Sequence, residues 1–259
     1  MLFSHRGVAL ALVLPALLGA TARESPTHLA APSPAASSPS ALSPSVVLQR
    51  YAKALARVSP PQALIFDYTV EQAGLFDLEQ KHRVYRSKSI ERDVITEIDG
   101  RKLLAPSVRV TSGQTDRYDI LAVAPRLDRY AFTFANAQRA DGHFDYVFRA
   151  ASRVPGSFVV DGVTIDGQAF LPSVVSFRTG GTARASGRFS YARFDGHWLI
   201  REASVNAVVA SKPVREHLLW TAYQFPTSLP PSTFSSARSG TSVLTATRAV
   251  SSAGHSSGR

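Results

Sequence analysis

The sequence contains no cysteine among its 259 residues and only one methionine. The absence of cysteine excludes disulfide bonds, Cys-ligated zinc, iron–sulfur clusters, a cysteine nucleophile and a lipidated N-terminal cysteine. Acidic residues are also few, because 19 Asp and Glu stand against 29 Lys and Arg, which gives a formal net charge of +10. This excess of positive charge favours anionic partners without naming one.

Several motifs that carry chemistry are missing as well. The sequence has no GxSxG elbow, so a nucleophilic serine of the α/β-hydrolase kind lacks its usual anchor. It has neither GxGxxG nor GxxxxGK[ST] to hold a phosphate group. Its seven histidines are spread without an HxxxH or HExxH pairing, so we expect no metal site and no cofactor. These absences predict a protein that is not an enzyme.

Long apolar runs occur only near the N-terminus. Val8–Leu18 is almost wholly apolar and follows the polar start at His5 and Arg6, and Ala20-Thr21-Ala22 then offers small residues for cleavage. This pattern predicts a secretory signal peptide over residues 1–22, cut near Ala22, with an uncleaved anchor as the alternative. We therefore expect an exported protein, periplasmic or otherwise extracytoplasmic, and no nucleic-acid partner.

Two segments of low complexity flank the remaining sequence. Residues 23–45 hold seven Ser, five Pro and five Ala, too little apolar surface to fold, and are predicted to be a disordered linker. Residues 235–259 hold eight Ser, three Arg and no acid, which is typical of a disordered tail. Residues 46–234 show no internal repeat and no break in composition. They are predicted to form one domain, which we expect to be monomeric.

One helix is predicted at the start of this domain. Ser45 is a plausible N-cap residue and Pro60-Pro61 ends the pattern. The apolar residues that recur at helical spacing are Val47, Leu48, Tyr51, Leu55 and Val58.

After the helix the apolar period changes to two. The alternation is clear at Leu64–Val70, Tyr130–Phe134, Phe144–Phe148 and Ala203–Val209, and it is typical of half-buried antiparallel strands. Asp-Gly pairs at Asp99, Asp141, Asp161, Asp166 and Asp195 suit tight turns between such strands. Since long crossover helices are lacking, the sequence predicts a mainly β fold. We expect about ten strands in one large curved antiparallel sheet or an open barrel, with residues 100–116 partly helical.

A sheet of this size needs its apolar face covered, and the sequence offers one clear helix for the purpose. The shortage of cover predicts a cavity on the aromatic face that would accept an apolar ligand. The alternative is that the same aromatic residues simply form the core. The residues predicted to line the cavity are Phe66, Tyr68, Phe132, Phe134, Tyr146, Phe148, Phe177, Tyr191, Trp198 and Trp220.

Two motifs in the second half of the domain resemble a known family. Ile165–Phe177 combines an Asp turn, a Leu-Pro pair and an alternating strand, and it resembles an element of the outer-membrane lipoprotein-sorting (LolA-like) superfamily. Leu218–Phe225 and Leu229–Phe234 are similar to the last strand and the closing segment of that superfamily. The resemblance implies a half-barrel with helices at its mouth, which binds lipids, carries lipoprotein acyl chains or senses envelope proteins. Carriers in the superfamily tend to have a basic residue followed by proline after the second strand, and Arg83–Lys88 contains no proline.

The leading hypothesis is an exported, non-enzymatic protein that holds lipid or lipoprotein acyl chains on a concave aromatic face. Arg184 and Arg188 are the candidates for contact with anionic head groups at the rim, with a solvated polar face as the alternative. We also expect transient contact with an anionic membrane surface. The competing hypotheses are an envelope module that binds a protein through the sheet edge and surface, and a hydrolase whose Ser, His and Asp come from distant positions.

Overall fold

A computed structural model describes residues 41–74, 77–113, 119–140, 142–180, 184–209 and 211–235. The predicted signal peptide and most of the predicted linker and tail lie outside these ranges. Within the described part of the chain, no helix is both long enough and apolar enough to cross a membrane.

Helices are few and short. They are α1 (Pro44–Leu55), α2 (Ile120–Val123) and a 3₁₀ helix at Pro231–Phe234. The predicted N-cap at Ser45 is wrong, because α1 already includes that residue and the extended residue before it is Ser43. Pro44 explains the earlier start, since a proline has the φ angle of a first helical turn and lacks only an N–H that would have no partner there.

Antiparallel strands make up most of the remainder. They are β1 (Ala63–Ala73), β2 (Leu78–Ser87), β3 (Ile90–Ile98), β4 (Arg101–Ser112), β5 (Tyr130–Ala140), β6 (His143–Ser152), β7 (Phe158–Ile165), β8 (Pro172–Thr179), β9 (Ala185–Phe194), β10 (His197–Val209) and β11 (Lys212–Gln224). Their hydrogen-bonded order is β4-β3-β2-β1-β11-β10-β9-β8-β7-β6-β5. Two meanders are thus joined where β1 pairs with β11. The prediction of a mainly β fold with one large curved antiparallel sheet and few helices is confirmed.

The predicted partial helix over residues 100–116 is wrong, because Arg101–Ser112 forms strand β4. Pro106 lies in the middle of this segment, where it would remove a hydrogen bond from a helix and clash with the preceding turn. Pairing with β3 at Val94↔Val108 and Arg92↔Val110 gives the backbone polar groups an alternative partner.

Most Asp-Gly pairs behave as predicted, with one exception. Asp99-Gly100 and Asp195-Gly196 connect consecutive strands, and all four residues have positive φ angles. Asp166-Gly167 lies between β7 and β8, whereas Asp141 lies outside the described residues. The turn predicted at Asp161-Gly162 is wrong, because this pair lies inside β7 at a shift of register against β8. The buried neighbours Val160 and Val163 keep the strand running through it.

The apolar core lies on the face of the sheet that α1 covers, which we call the inner face. Val47 and Tyr51 of α1 are fully buried. The short helix α2 belongs to the connection between the two edge strands β4 and β5, and it packs against the more central strand β10. Ile120 and Val123 of α2 are buried. Helical cover therefore reaches the inner face from two separate segments of the chain.

Candidate functional site

The predicted aromatic residues largely form the core of the inner face. Six of the ten are buried, Tyr68, Phe132 and Trp198 are partly buried, and Phe134 is 40% exposed. The buried six are Phe66, Tyr146, Phe148, Phe177, Tyr191 and Trp220. The structure thus brings the aromatic set onto one continuous face, most of it in contact with the protein's own side chains.

Ring contacts run across this face in several groups. Phe177 stacks on Phe189 with ring centroids 4.6 Å apart, and Tyr68 stacks on Trp220 at 5.9 Å. At the β5 edge, Phe134 meets the ring of Phe148 edge-on at 5.5 Å. Such contacts add stability beyond the area that they bury. A ligand that enters here must therefore displace contacts that already exist.

Helix α1 is fastened over the β5–β6 end of the inner face. The Tyr51 hydroxyl donates to the carbonyl oxygen of Pro125 at 2.8 Å, and the Tyr51 ring meets Phe132 edge-on at 6.2 Å. Just before the helix, the amide of Leu42 donates to the Tyr146 hydroxyl at 2.9 Å. One hydrogen bond thus ties the helix to the connection before β5, and another ties Leu42, just before the helix, to β6, in addition to the apolar contacts of one helical face.

One hydroxyl on the inner face has no hydrogen-bond partner. The side-chain oxygen of Tyr191 is buried, and within the described ranges nothing bonds to it. Burial raises the pKa of Tyr191 well above its usual value, and nearby Asp119, Tyr223 and Tyr51 raise it further. A buried hydroxyl without a partner costs about 1–3 kcal/mol. A molecule bound in the aromatic core could therefore form a hydrogen bond with the Tyr191 hydroxyl.

A buried polar cluster interrupts the apolar surface near β2 and β3. His82 Nδ1 lies 2.8 Å from Asp93 Oδ1, and the Tyr68 hydroxyl donates to Asp93 Oδ2 at 3.1 Å. Arg109 Nη2 reaches the same carboxylate oxygen at 3.4 Å. Tyr68 also stacks on the His82 ring at 4.3 Å. We call Tyr68, His82, Asp93 and Arg109 the Asp93 cluster.

The Asp93 carboxylate is ionised in spite of its burial. Burial by itself raises the pKa of Asp93, but the hydrogen bond and charge of His82, the charge of Arg109 and the Tyr68 hydroxyl outweigh it and hold the pKa below the ordinary value. Asp93 and His82 are only 6% and 7% exposed. The cluster therefore holds a fixed negative charge, balanced by its own partners, within the inner face.

The two arginines predicted at the rim lie on or next to strand β9. Arg188 is exposed, has Ser176 and Ser204 as its cross-strand neighbours, and stands next to the inward-facing Phe189. Because side chains alternate along a strand, Arg188 lies on the outer face, opposite the face that carries Phe189. Arg184 is exposed just before β9.

The outer face carries an open polar groove of about 460 Å³. It is lined by Asp161, Ser176, Ser186, Arg188, Ser204 and Asn206, among others. A second open groove, of about 300 Å³, lies at β1, β10 and β11 and includes Glu71, Arg215 and His217. Neither groove is the cavity on the aromatic face that the sequence predicts.

A histidine and two carboxylates converge near the start of β6, a grouping that the sequence did not reveal. His143 Nε2 lies 3.3 Å from Asp145 Oδ1 and 3.3 Å from Asp166 Oδ2. Burial and the charge of Asp166 raise the pKa of Asp145, although His143 opposes them. One nitrogen and two oxygens suit a divalent cation such as Zn²⁺, and they equally form a shared ion pair with a protonated imidazole.

His217 shows why residue types alone do not define such a group. It also has two carboxylates beside it, but Glu71 lies 3.6 Å from Nδ1 and Glu202 lies 3.0 Å from Nε2. The two carboxylates therefore face opposite sides of the ring and do not converge on one point. Asp145 and Asp166 meet at one nitrogen of His143 because the connection after β7 returns Asp166 to the start of β6, which only the pairing of these strands reveals.

The histidines do not support the hydrolase hypothesis. His82, His143 and His217 pair with carboxylates, and His197 stacks on Phe225 at 4.7 Å. In the ranges that the structure describes, none of these four rings is seen hydrogen-bonded to a serine, which is the contact that activates a serine nucleophile.

Comparison with known proteins finds similarity in structure only, since no protein-family profile and no curated protein matches the sequence. The LolA superfamily protein NE2245 from Nitrosomonas europaea is similar with a TM-score of 0.43 and 11% identity, over 76% of this chain and 99% of that one. A putative outer membrane lipoprotein-sorting protein domain from Vibrio parahaemolyticus gives 0.44 and 12%, over 72% and 95%. The MucA/MucB complex of Pseudomonas aeruginosa gives 0.23 and 12%, over 68% and 92%. At these scores the likeness transfers no activity, ligand or partner.

Proposed function

We propose that this protein is exported and binds a lipid or lipoprotein acyl chain on its inner face without catalysing a reaction. The observation that carries the proposal is the disproportion between the sheet and its cover. The sheet has eleven strands and carries aromatic residues along much of its inner face, whereas the described helices above it are α1 with 12 residues and α2 with four. The resemblance of residues 165–177 and 218–234 to the lipoprotein-sorting superfamily points the same way.

An acyl chain would replace α1 rather than fill an existing hollow. The helix fully buries Val47 and Tyr51 and packs Leu48 and Leu55 partly buried against the core, which together contribute about 5–9 kcal/mol of apolar burial. An acyl chain of about 16 carbons gains about 0.8 kcal/mol for each CH₂ removed from water, or roughly 12 kcal/mol in all. The free energy of replacing the helix by the acyl chain is therefore favourable. The entropy lost when the acyl chain becomes ordered reduces this gain.

The proposal is tested by loading the purified full chain with lysophosphatidylcholine and recording native mass spectra, thermal unfolding and amide hydrogen exchange. We expect a bound lysolipid, a higher Tm and faster exchange of the α1 amides. A protein that binds no lysolipid and whose Tm does not change would overturn the proposal.

A pair of variants separates inner-face binding from adsorption elsewhere. Phe132→Ser removes a partly buried ring that contacts α1, and its loss of about 2 kcal/mol of apolar contact should weaken lysolipid binding about 30-fold. Leu219→Ser is the control, because Leu219 is 41% exposed and has outer-face Glu202 as its cross-strand partner. Equal binding by both variants would place the lipid outside the inner face.

A protein-binding module is the second candidate, favoured by how completely the inner face is filled. Six predicted cavity residues are buried, and Phe134 remains 40% exposed on the edge strand β5. An edge strand offers unpaired backbone groups to an extended segment of a partner. If the lysolipid experiment fails while the protein is folded, this candidate becomes the better explanation.

A further inference from the structure

Strand β4 contains a large bulge at the edge of the sheet. Ser107 pairs with Ile95 and Lys102 pairs with Glu97. Four residues of β4, 103–106, therefore stand opposite the single residue Thr96 of β3. We call residues 103–106 the β4 bulge.

The β4 bulge presents an apolar side chain entirely to solvent. Leu104 has a relative exposure of 106%, more than any other large hydrophobic residue in the described ranges. Ala105 and Pro106, which follow it, are also exposed. Single exposed apolar residues are common on protein surfaces, so what distinguishes Leu104 is its place on a bulge that projects from the edge of the sheet, beside two cations.

Positive charge flanks this apolar tip. Arg101, Lys102 and Arg109 are exposed in β4, which contains no acidic residue. Arg109 is partly neutralised by Asp93 at 3.4 Å. Arg101 and Lys102 are the cations closest in sequence to Leu104, and Lys102 has Glu97 as its cross-strand neighbour.

The acidic residues nearest to these cations are engaged within the sheet. Glu97 holds the ammonium of Lys81 at 2.6 Å. Asp99 accepts a hydrogen bond from the amide of Glu79 at 2.9 Å. Of the two carboxylates, Glu97 is thus shared with Lys81, whereas Asp99 is held by a neutral amide and keeps its charge.

We propose that the β4 bulge is the contact of this protein with an anionic lipid bilayer. Leu104 enters the boundary between head groups and acyl chains, while Arg101 and Lys102 lie against the phosphates, the arrangement expected for interfacial binding. A bilayer fits a protruding residue because it needs no complementary groove, and the cations match its charge. This membrane contact depends on the proposed function in one respect, because its purpose would be to bring the inner face to a source of lipid. The surface involved is a different one.

The contact can be observed with one label, because the natural chain has no cysteine. Leu104→Cys is labelled with an environment-sensitive fluorophore and mixed with vesicles of phosphatidylcholine, alone or with phosphatidylglycerol added to about one part in three. We expect a blue shift on the anionic vesicles that weakens as salt is raised, because surface charge is screened. No blue shift on anionic vesicles, or an equal one on vesicles of phosphatidylcholine alone, would overturn the proposal.

Vesicle flotation with unlabelled variants gives the matched control. Leu104→Asp should lose at least tenfold in binding to anionic vesicles, and Arg101→Glu with Lys102→Glu should lose more than that, since each cation contributes about fivefold. Val208→Asp places the same charge at another exposed apolar residue, 52% exposed on β10, and should bind within twofold of the natural chain. If Leu104→Asp and Val208→Asp bind alike, the bulge is not the contact.

Lysophosphatidylcholine loading of Leu104→Asp keeps the two proposals apart. If that variant loads lysolipid normally and fails to bind vesicles, both proposals are supported. If vesicle binding follows Leu104 but no protein form loads lysolipid, the inner-face proposal fails and the β4 bulge remains a membrane contact.

Discussion

Two buried tyrosines show how much depends on whether a single hydroxyl finds an acceptor. Tyr51 on α1 donates to Pro125, whereas the Tyr191 hydroxyl has no partner within the described ranges. Burial raises the pKa of both residues. Both are therefore neutral at any physiological pH, and their hydroxyls act only through hydrogen bonding.

Replacement of each tyrosine by phenylalanine should give opposite results. Tyr51→Phe leaves the Pro125 carbonyl without its donor and should lower the free energy of unfolding by about 1 kcal/mol. Tyr191→Phe removes an unsatisfied hydroxyl and should leave stability unchanged or raise it by up to about 1 kcal/mol. Urea unfolding of the two variants measures the difference. A loss for Tyr191→Phe as large as that for Tyr51→Phe would mean that Tyr191 has a partner after all.

The Asp93 cluster makes stability depend on pH in a defined direction. Because the folded pKa of Asp93 is lower than the unfolded one, the cluster stabilises the fold above the unfolded pKa, near 4. That contribution is lost as pH falls through the folded pKa. Asp93→Asn should therefore cost about 3 kcal/mol at pH 7, since the buried cluster loses the carboxylate that joins His82, Tyr68 and Arg109. The difference in free energy of unfolding between Asp93→Asn and the natural chain should become smaller below about pH 4.

Asp67 supplies the control for this prediction. Its ion pair with Arg83 is exposed, at 3.7 Å with both side chains 40% exposed, so Asp67→Asn should cost less than about 0.5 kcal/mol. Urea unfolding at pH 7 and pH 3 compares the two variants. A cost for Asp93→Asn that stays the same at both values would contradict the assignment of an ionised Asp93.

At the scale of the strand, one glycine determines how closely β9 can approach its neighbour. A Cβ atom at Gly187 would lie 2.2 Å from the carbonyl oxygen of Ser204 and 3.0 Å from the ring of Phe177. The first of these atoms is backbone in a paired strand and cannot move without parting β9 from β10. Gly187 thus allows the ring of Phe177 to cover the backbone between two strands.

Alanine at this position should therefore be costly, although alanine usually suits a strand no worse than glycine does. We expect Gly187→Ala to lower the free energy of unfolding by about 2–3 kcal/mol through strain and displacement of Phe177. Gly180→Ala is the control, because nothing lies within 4 Å of a Cβ atom there, and it should change stability by less than about 1 kcal/mol. Thermal unfolding measures both, and equal Tm values would show that the strands can adjust.

Alternation along single strands made much of the fold predictable. The even-numbered residues from Leu64 to Val70 and the pattern at Phe144–Phe148 place the aromatic rings on one face, and the structure agrees. The same rule, applied to Gly187-Arg188-Phe189, places Arg188 on the face opposite Phe189, and the cross-strand neighbours of Arg188 agree. The turn prediction at Asp161-Gly162 failed because burial of the flanking valines outweighed the local preference for a turn.

Contacts that depend on strand register were beyond the sequence. His82 meets Asp93 only because β2 and β3 pair with a shift between Lys81 and His82. Similarly, the spacing of His143 and Asp166 in the sequence does not predict that the folded chain brings them together. A pattern of polar and apolar residues reports which face a side chain occupies, not which side chain stands beside it.

At the scale of the whole molecule, the decisive pairing is the one between β1 and β11. Each meander forms from hairpins between strands that are neighbours in sequence, whereas β1 and β11 are the first and last strands along the chain. Closing a loop of this length is entropically slow, so this pairing should form late in folding. It also determines the extent of the inner face, because without it Tyr68 and Trp220 would lie on separate sheets.

A disulfide across this pairing tests the strand order directly, since the chain has no other cysteine. Thr69 and Leu219 are cross-strand partners, so Thr69→Cys with Leu219→Cys should oxidise readily. Because the bond closes a loop of about 150 residues, it should raise the free energy of unfolding by about 4 kcal/mol, and a reductant should remove the gain. Thr69→Cys with Leu218→Cys is the control, because Leu218 is buried on the opposite face and its Cβ points away. Oxidation of the control pair, or of neither pair, would mean that β1 and β11 are not neighbours in this register, and the continuous inner face on which lipid binding depends would not exist.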